Sequence, residues 1–162
     1  MIFKQSQYHS GQTILEILLA TAIIAILLVS LIALSTYSSK SSTYAKQLNQ
    51  ATDYSNQLAD WLRDQKQLLG WFSFLQLLEE DTNNNYVTYC FNNLPSTTND
   101  FRNLSNSPCP STAHILNTNF TRQATFDLSQ TDQGIITVNI TTSWQDNIKY
   151  QTTMQIKLSR WN

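Results

Sequence analysis

The chain has 162 residues and a formal net charge of −1, so it has room for one modest domain and a membrane segment. The balanced charge excludes a global field that would draw the protein to nucleic acid or to acidic membranes. Three glycines and three prolines argue against a long disordered linker.

A continuous apolar segment covers residues 14–34. These 21 residues contain one charge, Glu16, and the mildly polar Thr21 and Ser30. As a helix the segment is about 31 Å long, enough to cross the hydrocarbon core of a bilayer. A secretory signal usually has a shorter apolar region followed by a cleavage site of small residues, whereas this segment runs directly into a polar helical pattern. The sequence therefore predicts a membrane-spanning helix.

Glu16 is the residue of this segment that a simple anchor does not explain. An acidic residue costs about 2.5–3.5 kcal/mol at the centre of a spanning helix and less near its end, so an ionisable group here indicates a function and a partner. If the chain is cut after Gly11, Gln12 becomes the first residue and provides a free α-amine. Glu16 then lies one helical turn further along, which gives its carboxylate a possible partner.

The stretch SGQTILE at residues 10–16, followed by an unbroken apolar run, resembles the type IV prepilin signal that type IV pilins share with the pseudopilins of type II secretion. The resemblance implies that a prepilin peptidase cuts after Gly11 on the cytoplasmic side and methylates the new amine of Gln12. It also implies that Glu16 neutralises the amine of a neighbouring subunit in a filament. A carboxylate and an ammonium are costly alone in a low dielectric and tolerable together.

The sequence departs from the family pattern at two positions, and these departures bear on which kind of pilin it resembles. The first mature residue is usually phenylalanine or methionine, whereas here it is Gln12. Many major pilins carry a proline about two-thirds along the span, where this chain has Ala33. The missing proline favours a minor pilin or a pseudopilin over a major pilin.

The resemblance also implies a location and a set of partners. Lys4 precedes the span and Lys40 and Lys46 follow it, so the charge rule leaves the orientation undecided. The family places such chains in the inner (cytoplasmic) membrane as single-pass proteins with an extracytoplasmic C-terminal domain, and in a filament or at the cell surface after assembly. The implied partners are other pilin or pseudopilin subunits, the prepilin peptidase, the assembly platform in the membrane and, before assembly, membrane lipid.

Beyond the apolar segment the pattern becomes that of an amphipathic helix. The apolar residues recur at three-, four- and seven-residue steps and include Tyr44, Leu48, Ala51, Leu58, Leu62 and Leu69. We expect this part of the helix to support a small domain and to stop at Gly70. The apolar residues of 71–78 indicate a second short helix or a turn, and the polar run 79–85 indicates a loop.

Alternating patterns predict strands in the C-terminal half of the chain. Residues 86–91 and 122–128 are two candidates, and 136–144 with 149–158 form the clearest pattern, an antiparallel hairpin. The predicted fold class is α+β, a long N-terminal helix packed against a small antiparallel sheet, which resembles the pilin architecture. The predicted organisation is a leader at 1–11, a transmembrane and assembly helix at 12–36, an amphipathic continuation with a short second helix at 37–80, and an antiparallel β domain at 81–162.

Cys90 and Cys109 lie on the same side of the apolar segment, with 18 residues between them. An extracytoplasmic setting would let them pair, and closing this loop would stabilise the fold by about 3 kcal/mol. A metal site is disfavoured because no CxxC motif occurs and His114 is the only histidine left after cleavage. A catalytic Cys–His pair is possible in principle, but the proline-rich flanks and an oxidising setting favour a disulfide.

These patterns support one leading hypothesis, a structural filament subunit. The alternative is an uncleaved single-pass membrane-anchored binding module outside the cytoplasm. A narrower idea, DNA uptake through Arg122, Lys149, Lys157 and Arg160, is weaker than a solvated strand face, so nucleic acid is not an expected partner. The sequence contains no phosphate loop, nucleophile elbow or metal cluster, and we expect neither an enzyme nor a cofactor.

Overall fold

The computed structural model describes residues 10–79, 85–110, 112–146 and 148–161. Residues 1–9 of the predicted leader and 80–84 of the predicted polar loop lie outside the described residues. The chain divides into two compact units, Met1–Lys46 and Gln47–Asn162. The helices are α1 (Ser10–Leu69), α2 (Trp71–Glu79) and α3 (Thr98–Arg102), and the strands are β1 (Tyr86–Cys90), β2 (Phe120–Asp127), β3 (Ile135–Gln145) and β4 (Lys149–Ser159). The predicted α+β class is confirmed.

The first unit contains the apolar part of α1. Every residue from 14 to 46 is exposed, and large side chains such as Leu15 and Leu34 are 68% and 65% exposed. An 18-residue window of this helix has a mean hydropathy of 3.1, so the helix is long and apolar enough to cross a membrane. A helix that is apolar on all sides requires an apolar environment around it.

In the second unit, residues 47–69 of α1 bury one stripe of side chains. Ala51, Leu58 and Leu62 are completely buried, at the seven- and four-residue steps that the amphipathic pattern predicted, and the adjacent Ala59 is buried with them. The helix ends at Leu69, and Gly70 follows with a φ of 74°. The Gly70 N–H donates to the Lys66 carbonyl over 3.0 Å, which is a common end for a helix. The predicted stop at Gly70 is confirmed.

Helix α2 follows immediately after Gly70, so a helix rather than a turn occupies this segment. It buries Phe74, Leu77 and Leu78 in the same core as Leu58 and Leu62 of α1. The helix thereby covers a part of the core next to α1. Its apolar residues are grouped at helical spacing because only one side of a short helix can be buried.

The four strands form one antiparallel sheet with the order β1-β2-β3-β4. The predicted hairpin is confirmed as β3 and β4, and Gln145 opposes Lys149 at its closed end. Buried and half-buried residues alternate along β2 and β3, so even-numbered residues of these strands face the core and odd-numbered residues form the outer face. One face of the sheet is therefore apolar and packed against α1 and α2, as expected.

Polar contacts also join α1 to the sheet. The Ser55 and Thr142 hydroxyls lie 2.8 Å apart, and both residues are buried. Trp144 packs with Ala51 and Phe120 in a second apolar cluster, and its indole N–H donates to Gln47 Oε1 over 3.1 Å. These bonds satisfy polar groups that would otherwise be costly inside the core.

Candidate functional site

The predicted assembly residue, Glu16, lies on α1 within the exposed apolar segment. The large side chains around it, Ile14, Leu15 and Ile17, are 62%, 68% and 63% exposed. No described residue forms an ion pair with Glu16. The next basic residue along the helix is Lys40, which at 1.5 Å per residue is about 36 Å away. The helix itself therefore offers this carboxylate no cation within reach.

Gly11 and Gln12 lie in the first turn of α1. Residues four apart in a helix share one face, so the backbone places Gln12 and Glu16 one turn apart on the same side. A cut after Gly11 would put a new α-amine on the face that carries the carboxylate. Processing at Gly11, methylation of Gln12 and assembly through Glu16 all stay predictions.

The predicted disulfide between Cys90 and Cys109 is confirmed. Cys90 ends β1, and Cys109 lies in the segment that leads towards β2. The enclosed loop contains the short helix α3, whose Phe101 side chain is 3% exposed and belongs to the main core. The disulfide thus attaches a core-filling loop to the edge of the sheet. No group of side chains that could hold a metal ion occurs in the described ranges.

Arg122 is a buried cation that the sequence patterns placed on a surface. It is 2% exposed; its Nε donates to the Phe91 carbonyl over 3.0 Å and its Nη1 to the Tyr54 carbonyl over 2.8 Å. Burial lowers the pKa of Arg122 to about 10, far above neutral pH, so the side chain remains charged. Arg122 joins β2 to α1 and to Phe91, the residue that follows β1, and it is not available to contact a DNA phosphate.

A polar cleft on the outer face of the sheet is a second feature that sequence patterns missed. Its volume is about 350 Å³. The lining comes from β2, β3, β4 and the segment after the disulfide: Cys109, Pro110, His114, Asn119, Thr121, Gln123, Thr141, Ser143, Trp144, Gln145, Lys149 and Gln151. Strand alternation predicts a polar face here, but the concavity depends on where the disulfide holds the segment beside the strands.

A comparison with protein-family models finds no match to this chain, and comparisons with curated proteins and with solved structures find none either. The resemblance to prepilins therefore depends on the residues around Gly11 and Glu16. The fold, a long apolar N-terminal helix with a small antiparallel sheet, is compatible with a pilin-like protein.

Proposed function

We propose that this protein is a structural filament subunit, a minor pilin of a type IV pilus or a pseudopilin of type II secretion. One observation carries the proposal. Glu16 is a carboxylate without an ion-pair partner among the described residues, in an apolar helix and one turn after the Gly11–Gln12 bond. A carboxylate in the apolar segment makes insertion of the helix into the membrane less favourable. A helix that serves only as an anchor gains nothing in return for that cost.

The proposed mechanism begins in the membrane. The segment 14–34 spans the inner membrane, and a prepilin peptidase cuts after Gly11 and methylates the amine of Gln12. The disulfide between Cys90 and Cys109 supports an extracytoplasmic location for the second unit, because disulfides persist in oxidising compartments. The assembly platform then brings subunits together.

Assembly replaces lipid around the apolar helix with the helices of other subunits. In that bundle the Glu16 carboxylate accepts a hydrogen bond from the α-amine of a neighbouring Gln12. Each charge alone is expensive to bury, and the pair offsets a large part of that cost. The apolar residues around Glu16 supply the packing, while the single charge pair fixes which subunits are in register.

Substitution of Glu16 by glutamine tests this mechanism, because it removes the charge and keeps the size. We expect Glu16→Gln protein to fractionate with the membrane as before, and its incorporation into sheared filaments to fall at least about tenfold, the loss expected from one charge pair. Asp53→Asn is the matched control, since Asp53 is an exposed carboxylate of the same helix outside the apolar segment. Unchanged incorporation of Glu16→Gln protein, or an equal loss with Asp53→Asn, would contradict the proposal.

The polar cleft favours a second candidate, an uncleaved membrane-anchored binding module. A concave site with polar groups that can orient a bound molecule is a candidate ligand site, and a tether alone would suffice to display it. This candidate predicts that the purified protein retains residues 1–11 and that Glu16→Gln changes no function of the protein.

A further inference from the structure

The polar cleft on the outer face of the sheet has a floor and two walls. The floor consists of the uncharged side chains of Thr121, Gln123, Thr141 and Ser143, from the outward-facing positions of β2 and β3. One wall is formed by Cys109, Pro110, His114 and Asn119, and the other by Lys149 and Gln151 of β4. A volume of about 350 Å³ lies within the range of sites for small ligands.

Covalent and hydrogen bonds fix the wall that contains Cys109. Cys109 is bonded to Cys90, and its N–H donates to Gln123 Oε1 over 3.3 Å. At the other end of this wall, the Asn119 Nδ2 donates to the Gln145 carbonyl over 3.2 Å. A wall held in place before a ligand arrives loses little conformational entropy on binding, so the cleft is preorganised.

Several polar groups of the cleft are open to a ligand. The side chains of Lys149, Gln151 and His114 form no hydrogen bond or ion pair with the described residues. The amide of Gln151 can donate and accept at once, and that of Gln123 keeps its donor group while its oxygen accepts from Cys109. The floor hydroxyls pair within the sheet, Thr121 with Ser143 and Thr141 with Thr153, and each hydroxyl oxygen keeps acceptor capacity for a ligand. Such mixed donors and acceptors match a ligand with several adjacent hydroxyl groups.

The charges of the cleft lining further restrict the chemical class of the ligand. Among the described residues no Asp or Glu lines the cleft, and Lys149 places one ammonium at its edge. One ammonium suits a ligand with a carboxylate better than a nucleic acid, whose phosphates require a row of cations. We infer that the cleft binds an acidic oligosaccharide. Lys149 pairs with a sugar carboxylate, while Gln151 and the floor residues bind ring hydroxyls. This inference depends on the second unit alone and holds whether or not the chain is cleaved after Gly11.

Isothermal titration calorimetry on the full chain in detergent micelles tests this inference, with a tetramer of galacturonic acid as the probe. Its fully methyl-esterified form is the matched ligand, because esterification removes the charges and keeps every ring hydroxyl. We expect Lys149→Gln to weaken binding of the acid about tenfold, as for the loss of one charge-assisted hydrogen bond. The same variant leaves binding of the ester unchanged. Gln151→Ala weakens binding of both ligands about fivefold, as for one neutral hydrogen bond.

Lys157→Gln is the matched control variant. Lys157 is an exposed lysine at another outward-facing position of β4, about 27 Å along the strand from Lys149, and it does not line the cleft. We expect Lys157→Gln to bind the acid within twofold of the unsubstituted chain. Three results would overturn the inference: no binding of the acid at millimolar concentration, an ester that binds as tightly as the acid, or equal weakening by Lys157→Gln and Lys149→Gln.

Discussion

Two parts of helix α1 differ in the exposure of their apolar side chains. Between residues 14 and 34 the large apolar residues lie on every side of the helix and are all more than half exposed, from Ile23 at 51% to Leu15 at 68%. Between residues 47 and 69 the apolar residues form one stripe, and Leu58 and Leu62 are completely buried. The same residue types thus have a protein environment in one part and no protein environment in the other.

This difference in exposure indicates which contacts each set of apolar side chains stabilises. A stripe at three- and four-residue steps packs against one surface, here the sheet and α2. A segment that is apolar all round has no preferred side, so it needs lipid or other helices around it. Residues 47–69 therefore serve the fold of one chain, and we assign residues 14–34 to contacts outside the chain.

The largest difference between the two parts of α1 should appear when the same substitution, leucine to alanine, is made in each part. Leu62→Ala removes a fully buried side chain and should lower the free energy of unfolding by about 2–5 kcal/mol, from lost burial and a residual cavity. Leu28→Ala, where the side chain is 55% exposed, should leave it unchanged. Denaturant titration in mild detergent measures both. The tryptophan fluorescence reports on the second unit alone, because all four tryptophans, Trp61, Trp71, Trp144 and Trp161, lie there.

Equal effects of Leu62→Ala and Leu28→Ala would mean that the apolar segment contributes to the stability of the domain. The assignment of residues 14–34 to contacts outside the chain would then be wrong. Intermediate effects at both positions would have the same meaning, because the account gives Leu28 contacts outside the chain and none with the domain of its own chain.

The next largest effect should come from the disulfide, which links two parts of the second unit. Replacing Cys90 and Cys109 together by serine should lower the free energy of unfolding by about 3 kcal/mol, the chain-entropy value for a loop of this length. The double variant should still fractionate with the membrane, since the apolar segment is unchanged. A double variant as stable as the parent would show that the disulfide does not constrain the unfolded chain.

Two serines, one in each part of α1, should show the same difference with a smaller effect on the free energy of unfolding. Ser55 Oγ donates to the Ala51 carbonyl over 3.0 Å and lies 2.8 Å from the buried Thr142 hydroxyl. Ser30 Oγ makes the same kind of bond to the Ile26 carbonyl over 2.8 Å but is exposed. Ser55→Ala should cost about 1–3 kcal/mol of unfolding free energy because it leaves the Thr142 hydroxyl without its partner, and Ser30→Ala should cost none. A loss at Ser30 that matches the loss at Ser55 would mean that the helical bond alone sets the effect.

Local patterns predicted much of the fold. The stripe of residues 47–69, the stop at Gly70, the β3–β4 hairpin and the disulfide each have a signal in neighbouring residues or in the cysteine count. Helix α3 was missed although its capping box, Thr97 with Asp100, follows the usual spacing. Five residues are too few to show a helical period.

The features that sequence patterns could not predict depend on distant contacts. Arg122 occupies an inward-facing position of β2, but its charge argued for the surface. Burial is tolerated because the carbonyls of Phe91 and Tyr54, remote in sequence, accept its hydrogen bonds. The polar cleft likewise combines residues from separate parts of the chain, since Cys109, bonded to Cys90, lies beside residues of β2 and β3.

The intact mass of the protein, purified from the membranes of cells that contain a prepilin peptidase, tests the central claim most directly. The account predicts a chain that begins at Gln12, lacks residues 1–11 and carries one added methyl group on its amine, whereas Gly11→Val protein keeps the full-length mass. A wild-type chain that retains residues 1–11, or a Gly11→Val chain that is processed like the wild type, would contradict it.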